Sequence, residues 1–100
     1  LKSQVVIDDK KRELKLLFDQ VMQNLTNFDK KIALAEENRI LYKTLLADTV
    51  DLFRAGYKTQ YDVDLLTNSM AIEEINKKVY EIDKQLELLT LYEKMTSDVQ

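Results

Sequence analysis

The chain has 100 residues, a formal net charge of -3, one glycine and no proline, and 33% of its residues are charged. This length accommodates one small domain, and so few turn-forming residues exclude a β-sandwich, a β-barrel or an α/β sheet. Cysteine and histidine are absent, which excludes disulfides, thiolate metal sites and the usual general base. We therefore expect no enzyme, no metal and no cofactor, and the absence of a basic face gives no reason to expect nucleic-acid binding.

The first half of the sequence predicts one long helix over residues of about 4–54. Apolar side chains recur there at spacings of three and four, which is typical of a coiled-coil seam, the face that packs on a partner helix. Only Arg39 and Thr49 interrupt it. The predicted seam consists of Leu14, Phe18, Val21, Leu25, Phe28, Ile32, Ala35, Arg39, Tyr42, Leu46, Thr49 and Phe53.

The second half predicts a helix over residues of about 62–96 with the same repeat. Its predicted seam is Leu65, Asn68, Ile72, Ile75, Val79, Ile82, Leu86 and Leu89. Together the two halves predict an all-α fold in which residues 1–100 form a single long antiparallel two-helix coiled-coil hairpin. No apolar run approaches the roughly 20 residues of a membrane-spanning helix. Because the chain starts with Leu1 and shows no signal-peptide pattern, we expect an internal piece of a longer protein.

Apolar residues away from these seams indicate further packing partners. An isolated hairpin would expose many of them, and stripes this wide normally cover more than one neighbour. One interpretation is a three- or four-helix bundle or simple self-association. The other is an assembly of several hairpins in which each helix packs between two others, and the unequal helix lengths favour it. On the first helix these residues include Leu34, Leu41, Leu45 and Leu52.

The single glycine, Gly56, marks the predicted hairpin tip at residues 55–61. Thr59 is the expected N-cap of the second helix, with Asp62 as the acid of a capping box. Capping explains Thr59 and Asp62 but not Tyr57, Lys58 and Tyr61. The residues of an ordinary connection between helices are small and polar. Two aromatic side chains and a cation at an exposed tip suit contact with another protein or a polar constriction.

The sequence of this tip resembles that of a known family. Arg54-Ala55-Gly56, a short spacer and Asp62-Val63 between long heptad helices resemble the periplasmic tip of the TolC family of outer-membrane efflux proteins. The family pattern has a glycine, a few residues that often include a basic one, and then Asp-Val-Leu-x-Ala. This chain departs from it with Asp64-Leu65-Leu66 where Leu-Asp-Ala is common, and the close match covers about a dozen residues.

The resemblance implies a fold, a location and a partner. Family members are homotrimers with an outer-membrane β-barrel and an α-helical barrel across the periplasm, and each protomer contributes two hairpins to a duct for drug efflux or type I secretion. This chain would be one periplasmic hairpin, with membrane contact only through other parts of the protein. The hairpin tip docks a periplasmic adaptor protein, and the corresponding contact residues are Ala55, Gly56 and Tyr57.

The resemblance also implies a channel gate formed by Phe53, Lys58 and Asp62. Lys58 stands where the second repeat of the family often places a gating Arg, and Phe53 where it often places a gating Tyr, which favours the second repeat. Both residues depart from the family pattern, since Phe53 has no hydroxyl and Lys58 lacks the bidentate fork of Arg.

Two other functions fit the heptads. A generic coiled-coil scaffold explains the helices equally well but leaves the sequence from Gly56 to Val63 unexplained. The hairpin of an adaptor protein is also a long coiled coil, but its usual tip signature, an Arg-Leu-x-x-Leu-like helical pattern, is missing here.

Overall fold

The computed structural model consists of two long helices, α1 (Lys2–Arg54) and α2 (Gln60–Val99), and describes the backbone of residues 2–99 and the side chains of residues 3–97. The predicted all-α hairpin is confirmed. α1 ends at Arg54, as expected, whereas α2 begins at Gln60, before the predicted start near Asp62, because Thr59 already caps it. Over the described residues, neither helix has a stretch long and apolar enough to cross a membrane.

The chain divides into two compact units. Unit 1 comprises Leu1–Asp29 and Ile82–Gln100, and unit 2 comprises Lys30–Glu81. Each unit contains one stretch of α1 and one of α2.

Unit 1 has a small apolar core formed by Val21, Leu25 and Leu91, with Leu17 packed against it. Two polar contacts flank this core. The Asn24 side-chain amide donates a hydrogen bond to the Glu87 carboxylate (2.7 Å), and Lys84 forms an ion pair with Asp29 (2.7 Å). Because the α2 partner falls in number as the α1 partner rises, the two helices are antiparallel here.

Unit 2 is held together by more polar contacts. Among its described residues only Ala35 is a buried hydrophobic. Lys77 on α2 forms an ion pair with Glu36 on α1 (3.3 Å), and the Lys31 ammonium lies 5.7 Å from the centroid of the Tyr80 ring, within cation–π range. Unit 2 also contains half-buried apolar side chains on both helices: Ile32, Tyr42, Leu46, Val50, Val63, Leu66 and Met70.

The predicted seam of α1 is confirmed along most of its length. Val21, Leu25 and Ala35 are buried, and the other seam residues are half-buried except Phe18 and Phe53, which are 46% and 38% exposed. Arg39 and Thr49, the two residues that interrupt the apolar repeat, are half-buried at their predicted seam positions.

The predicted seam of α2 is wrong. All eight of its residues, from Leu65 to Leu89, are exposed. The face of α2 that packs on α1 is instead the opposite one, because two residues along a helix lie about 200° apart, so that Val79 points away from α1 when Lys77 points towards it. The face towards α1 carries Val63, Leu66, Met70, Glu73, Lys77, Tyr80, Lys84, Glu87 and Leu91.

The two faces of α2 differ in composition. The observed inner face of α2 also repeats at spacings of three and four, but four of its members are charged, and a search for apolar repeats passes over it. The exposed apolar residues form a second stripe, which we call the α2 stripe: Leu65, Ile72, Ile75, Val79, Ile82, Leu86 and Leu89.

Candidate functional site at the helical turn

The end of α1 is a Schellman motif centred on Gly56. The Tyr57 N–H donates to the Leu52 carbonyl oxygen (2.8 Å) and the Gly56 N–H to the Phe53 carbonyl oxygen (3.0 Å), which is the paired bonding that defines this C-cap. Gly56 has φ +87°, in the left-handed region where a side chain is strained. A Cβ added there would meet no atom within 4 Å, so the backbone angle rather than space favours glycine.

The start of α2 is the predicted capping box. The Thr59 N–H and hydroxyl both donate to Asp62 Oδ2 at 3.0 Å, and the Asp62 N–H bonds back to Thr59. The backbone hydrogen bond from Thr59 is the main cause that lowers the pKa of Asp62; the Thr59 hydroxyl and the charge of Lys58 act in the same direction. The turn is therefore fixed by hydrogen bonds on both sides of a short connection.

The side chains carried by this fixed turn are open to solvent. Tyr57 is 79% exposed and Tyr61 is 71% exposed, and Lys58 lies between them in sequence and is also exposed. Exposed tyrosines present large apolar area with a polar tip, which makes them effective protein-contact residues.

The predicted adaptor-contact residues, Ala55, Gly56 and Tyr57, are consecutive and exposed. The predicted gate residues are close in the chain but occupy different environments. Phe53 lies in the last turn of α1, Lys58 is in the connection, and Asp62 is half-buried and engaged by Thr59. Among the described contacts, Lys58 forms no ion pair with Asp62, and both site assignments stay predictions.

A second polar cluster lies in unit 2, where the sequence showed only an interruption at Arg39. The Arg39 guanidinium binds the Glu36 carboxylate through two hydrogen bonds of 3.0 and 2.7 Å, and Lys77 reaches the same carboxylate from α2. Hydrogen bonding to Arg39 is the largest cause that lowers the pKa of Glu36 to about 2, with a smaller contribution from Lys77.

This cluster borders an open cleft of about 360 Å³ whose charges balance. Three acids and three bases line it: Glu36, Arg39, Glu74, Lys77, Lys78 and Glu81. Over the part of the chain that the structure describes, no group of acidic side chains is arranged to hold a metal ion. We interpret the cluster as a polar layer between the helices; the charged residue at a seam position, Arg39, was the sequence signal for it.

Comparison of the chain with protein-family models, with curated proteins and with solved structures finds no match. The resemblance to the TolC family therefore rests on the residues of the turn.

Proposed function

We propose that this chain is a periplasmic coiled-coil hairpin of a trimeric outer-membrane channel for drug efflux or type I secretion, and that its turn docks a periplasmic adaptor protein. The observation that carries the proposal is the turn itself. A Schellman motif and a capping box hold it in one conformation, while Tyr57, Lys58 and Tyr61 remain exposed. A preorganised turn loses little conformational freedom on binding, which favours docking of a partner.

Exposed apolar residues on both helices also support the proposal. In unit 2, α1 presents Leu34 and Leu41, which are 56% and 54% exposed, and α2 presents Ile72 and Ile75, which are 55% and 60% exposed. Helices in a barrel pack against neighbours on two sides, and a hairpin taken from such a barrel has unpartnered apolar faces of this kind.

The gate is the second element of the proposed function. Tips that pack together through Phe53, Lys58 and Asp62 would close the duct, and adaptor docking would open it by binding the open arrangement more tightly than the closed one. Of these residues, Asp62 is already engaged by the capping box, so we expect Lys58 to contribute the free charge. No covalent chemistry is involved.

The test uses the longer channel protein that this proposal implies. Gly56→Trp adds bulk to the face that the adaptor would contact, and we expect it to abolish export and tip cross-linking to the adaptor while trimers still form. The matched control is Gly56→Asn, because asparagine adopts positive φ more readily than other residues with a side chain. This variant keeps the turn and adds little volume.

The two variants separate docking from folding. Equal loss in both variants would indicate damage to the turn, and replacement of the exposed Tyr57 by a photo-cross-linking amino acid then decides, since it leaves Gly56 intact. Wild-type export and cross-linking in Gly56→Trp, together with no adaptor cross-link from position 57, would overturn the proposal. A coiled-coil scaffold would then be the better account of the helices.

A further inference from the structure

The α2 stripe is a regular coiled-coil seam that α1 does not use. Its residues lie at heptad positions a (Leu65, Ile72, Val79, Leu86) and d (Ile75, Ile82, Leu89), with Asn68 at the remaining d position. Every one of them is between 45% and 60% exposed. The inner face of α2 repeats with the same period on the opposite side, so one helix carries two seams.

This arrangement is unfavourable for a chain on its own. The better apolar seam of α2 faces water, whereas the face packed on α1 in unit 2 contains Glu73 and Lys77. Among the described residues only four hydrophobic side chains are buried, namely Val21, Leu25, Ala35 and Leu91. A hairpin with so small a core gains much of its stability from whatever covers the second seam.

We infer that the α2 stripe is covered by the α2 stripe of another copy of this chain, with the two helices parallel and in register. The inference concerns the chain by itself and does not rest on the proposed function, because a central pack of α2 helices is an alternative to the helical barrel proposed above. It makes the assembly a set of hairpins with α2 at the centre and α1 on the outside, because α1 occupies the opposite face of α2.

The charges beside the stripe select this orientation. In a parallel coiled coil, a residue at position g lies next to the e residue of the following heptad of its partner. Lys78 occupies g and Asp83 occupies e, so each in-register pair of helices gains two Lys78–Asp83 contacts. In the structure described here neither residue forms an ion pair, and both charges are available.

An antiparallel pairing lacks this complementarity. An antiparallel dimer that pairs the whole stripe places Leu65 opposite Leu89 and therefore Lys78 opposite Lys78 of its partner, and like charges across an interface are unfavourable. A shift by one heptad that leaves Leu65 unpaired places Lys78 opposite the neutral Gln85 and Asp83 opposite the neutral Asn76. Isoleucine at two d positions, Ile75 and Ile82, favours three strands over two, so we expect dimers or trimers that share the parallel register.

The first experiment measures the mass of the chain in solution by light scattering and sedimentation. We expect two or three times the 11.8 kDa of one chain. The double variant Ile75→Lys/Ile82→Lys should return the chain to 11.8 kDa, because it places charges in the seam. Both positions are more than half exposed in the hairpin, and circular dichroism checks that helix content is retained.

A matched control separates the stripe from general hydrophobicity. Leu41 on α1 is 54% exposed, nearly as much as Ile82, and Leu41→Lys should leave the assembly intact. A monomeric wild-type chain, or equal dissociation by Leu41→Lys, would overturn the inference.

Charge exchange tests the orientation. Lys78→Asp and Asp83→Lys should each weaken self-association, because each places like charges across the parallel pair. Mixing the two variants should restore assembly as a hetero-oligomer, since both cross-contacts then join opposite charges. Failure of the mixture to assemble better than either variant alone would exclude the parallel register.

Cysteine cross-linking tests the same pairing by the formation of a disulfide between two copies, a product that a misfolded variant is not expected to give. The chain has no native cysteine, so a single Val79→Cys at an a position should form disulfide-linked pairs on mild oxidation. Ala47→Cys, on an exposed part of α1, is the control and should not. If Val79→Cys cross-links in a mixture with Ile75→Cys or with Ile82→Cys while Val79→Cys alone does not, the helices are antiparallel and the inference is wrong.

Discussion

At the scale of single residues, the turn shows how little sequence is needed to end one helix and begin another. Gly56 supplies the left-handed conformation that closes the Schellman motif, and Thr59 satisfies free amide groups of α2 through its hydroxyl and carbonyl oxygens. The sequence predicted the glycine tip and the capping box, because both depend on residues a few positions apart.

The capping role of Thr59 leads to a stability prediction. Thr59→Ala removes the hydroxyl that donates to Asp62 and accepts from the Asp62 amide, and we expect it to lower the free energy of unfolding by about 1 kcal/mol. Urea unfolding followed by circular dichroism measures this. Thr59→Ser keeps the hydroxyl and serves as the control, so an equal loss in both variants would show that the cap is not the cause.

At the scale of the helices, the sequence predicted correctly which face of α1 packs on α2, and incorrectly which face of α2 packs on α1. The seam of α1 was readable because Val21, Leu25 and Ala35 are apolar and face the partner helix. The seam of α2 was not, because its most apolar repeat lies on the outer face. Heptad spacing identifies faces that are suited to packing, but it does not determine which partner packs on which face.

The polar layer in unit 2 could be predicted from the sequence only in part. Arg39 stood out as an interruption, but its partner Glu36 is not a seam position, and Lys77 lies on a different helix. Only the pairing of the two helices brings these three charges together. In the same way, the turn could be found in the sequence, but what binds its exposed side chains could not.

The Glu36 cluster gives a prediction of pH dependence. The pKa of Glu36 is lowered from 4.5 to about 2, so folding favours its ionised form. The stability that this provides is fully present above pH 4.5 and is lost as the pH falls towards 2. Glu36→Gln removes this carboxylate, and the difference in unfolding free energy between wild type and variant should shrink over that window.

The measurement is urea unfolding of both proteins at several pH values between 2 and 7. Glu37→Gln is the control, because Glu37 is exposed and adjacent in sequence. A difference between wild type and Glu36→Gln that stays constant down to pH 2 would contradict a folded-state carboxylate held ionised by Arg39 and Lys77.

At the scale of the whole molecule, the chain has more apolar surface than its own two helices cover. The described core is limited to a few residues, and the seven side chains of the α2 stripe lie outside it. Apolar residues away from the predicted seams indicated this surplus. Both interpretations made from the sequence, a small bundle or self-association and a larger assembly of hairpins, would bury it.

This surplus predicts that stability depends on protein concentration. If assembly stabilises the fold, mass action raises the melting temperature as the chain becomes more concentrated. We expect a rising melting temperature for the wild type over a hundredfold dilution series, and none for Ile75→Lys/Ile82→Lys. Thermal unfolding followed by circular dichroism checks this, and a wild-type curve independent of concentration would contradict it.

The position of the small core in unit 1 also bears on how the chain folds. Asn24 and Glu87, which flank that core, are 63 positions apart in the chain, and closing so long a loop from an unfolded state is slow. If the turn forms early, this long loop need not close in one step, because the turn brings successive residues of the two helices together in order. We therefore expect folding to begin at Gly56 and Thr59 and to proceed towards Val21 and Leu91, so that the hydrogen bonds of the turn set the rate at which a distant core can form.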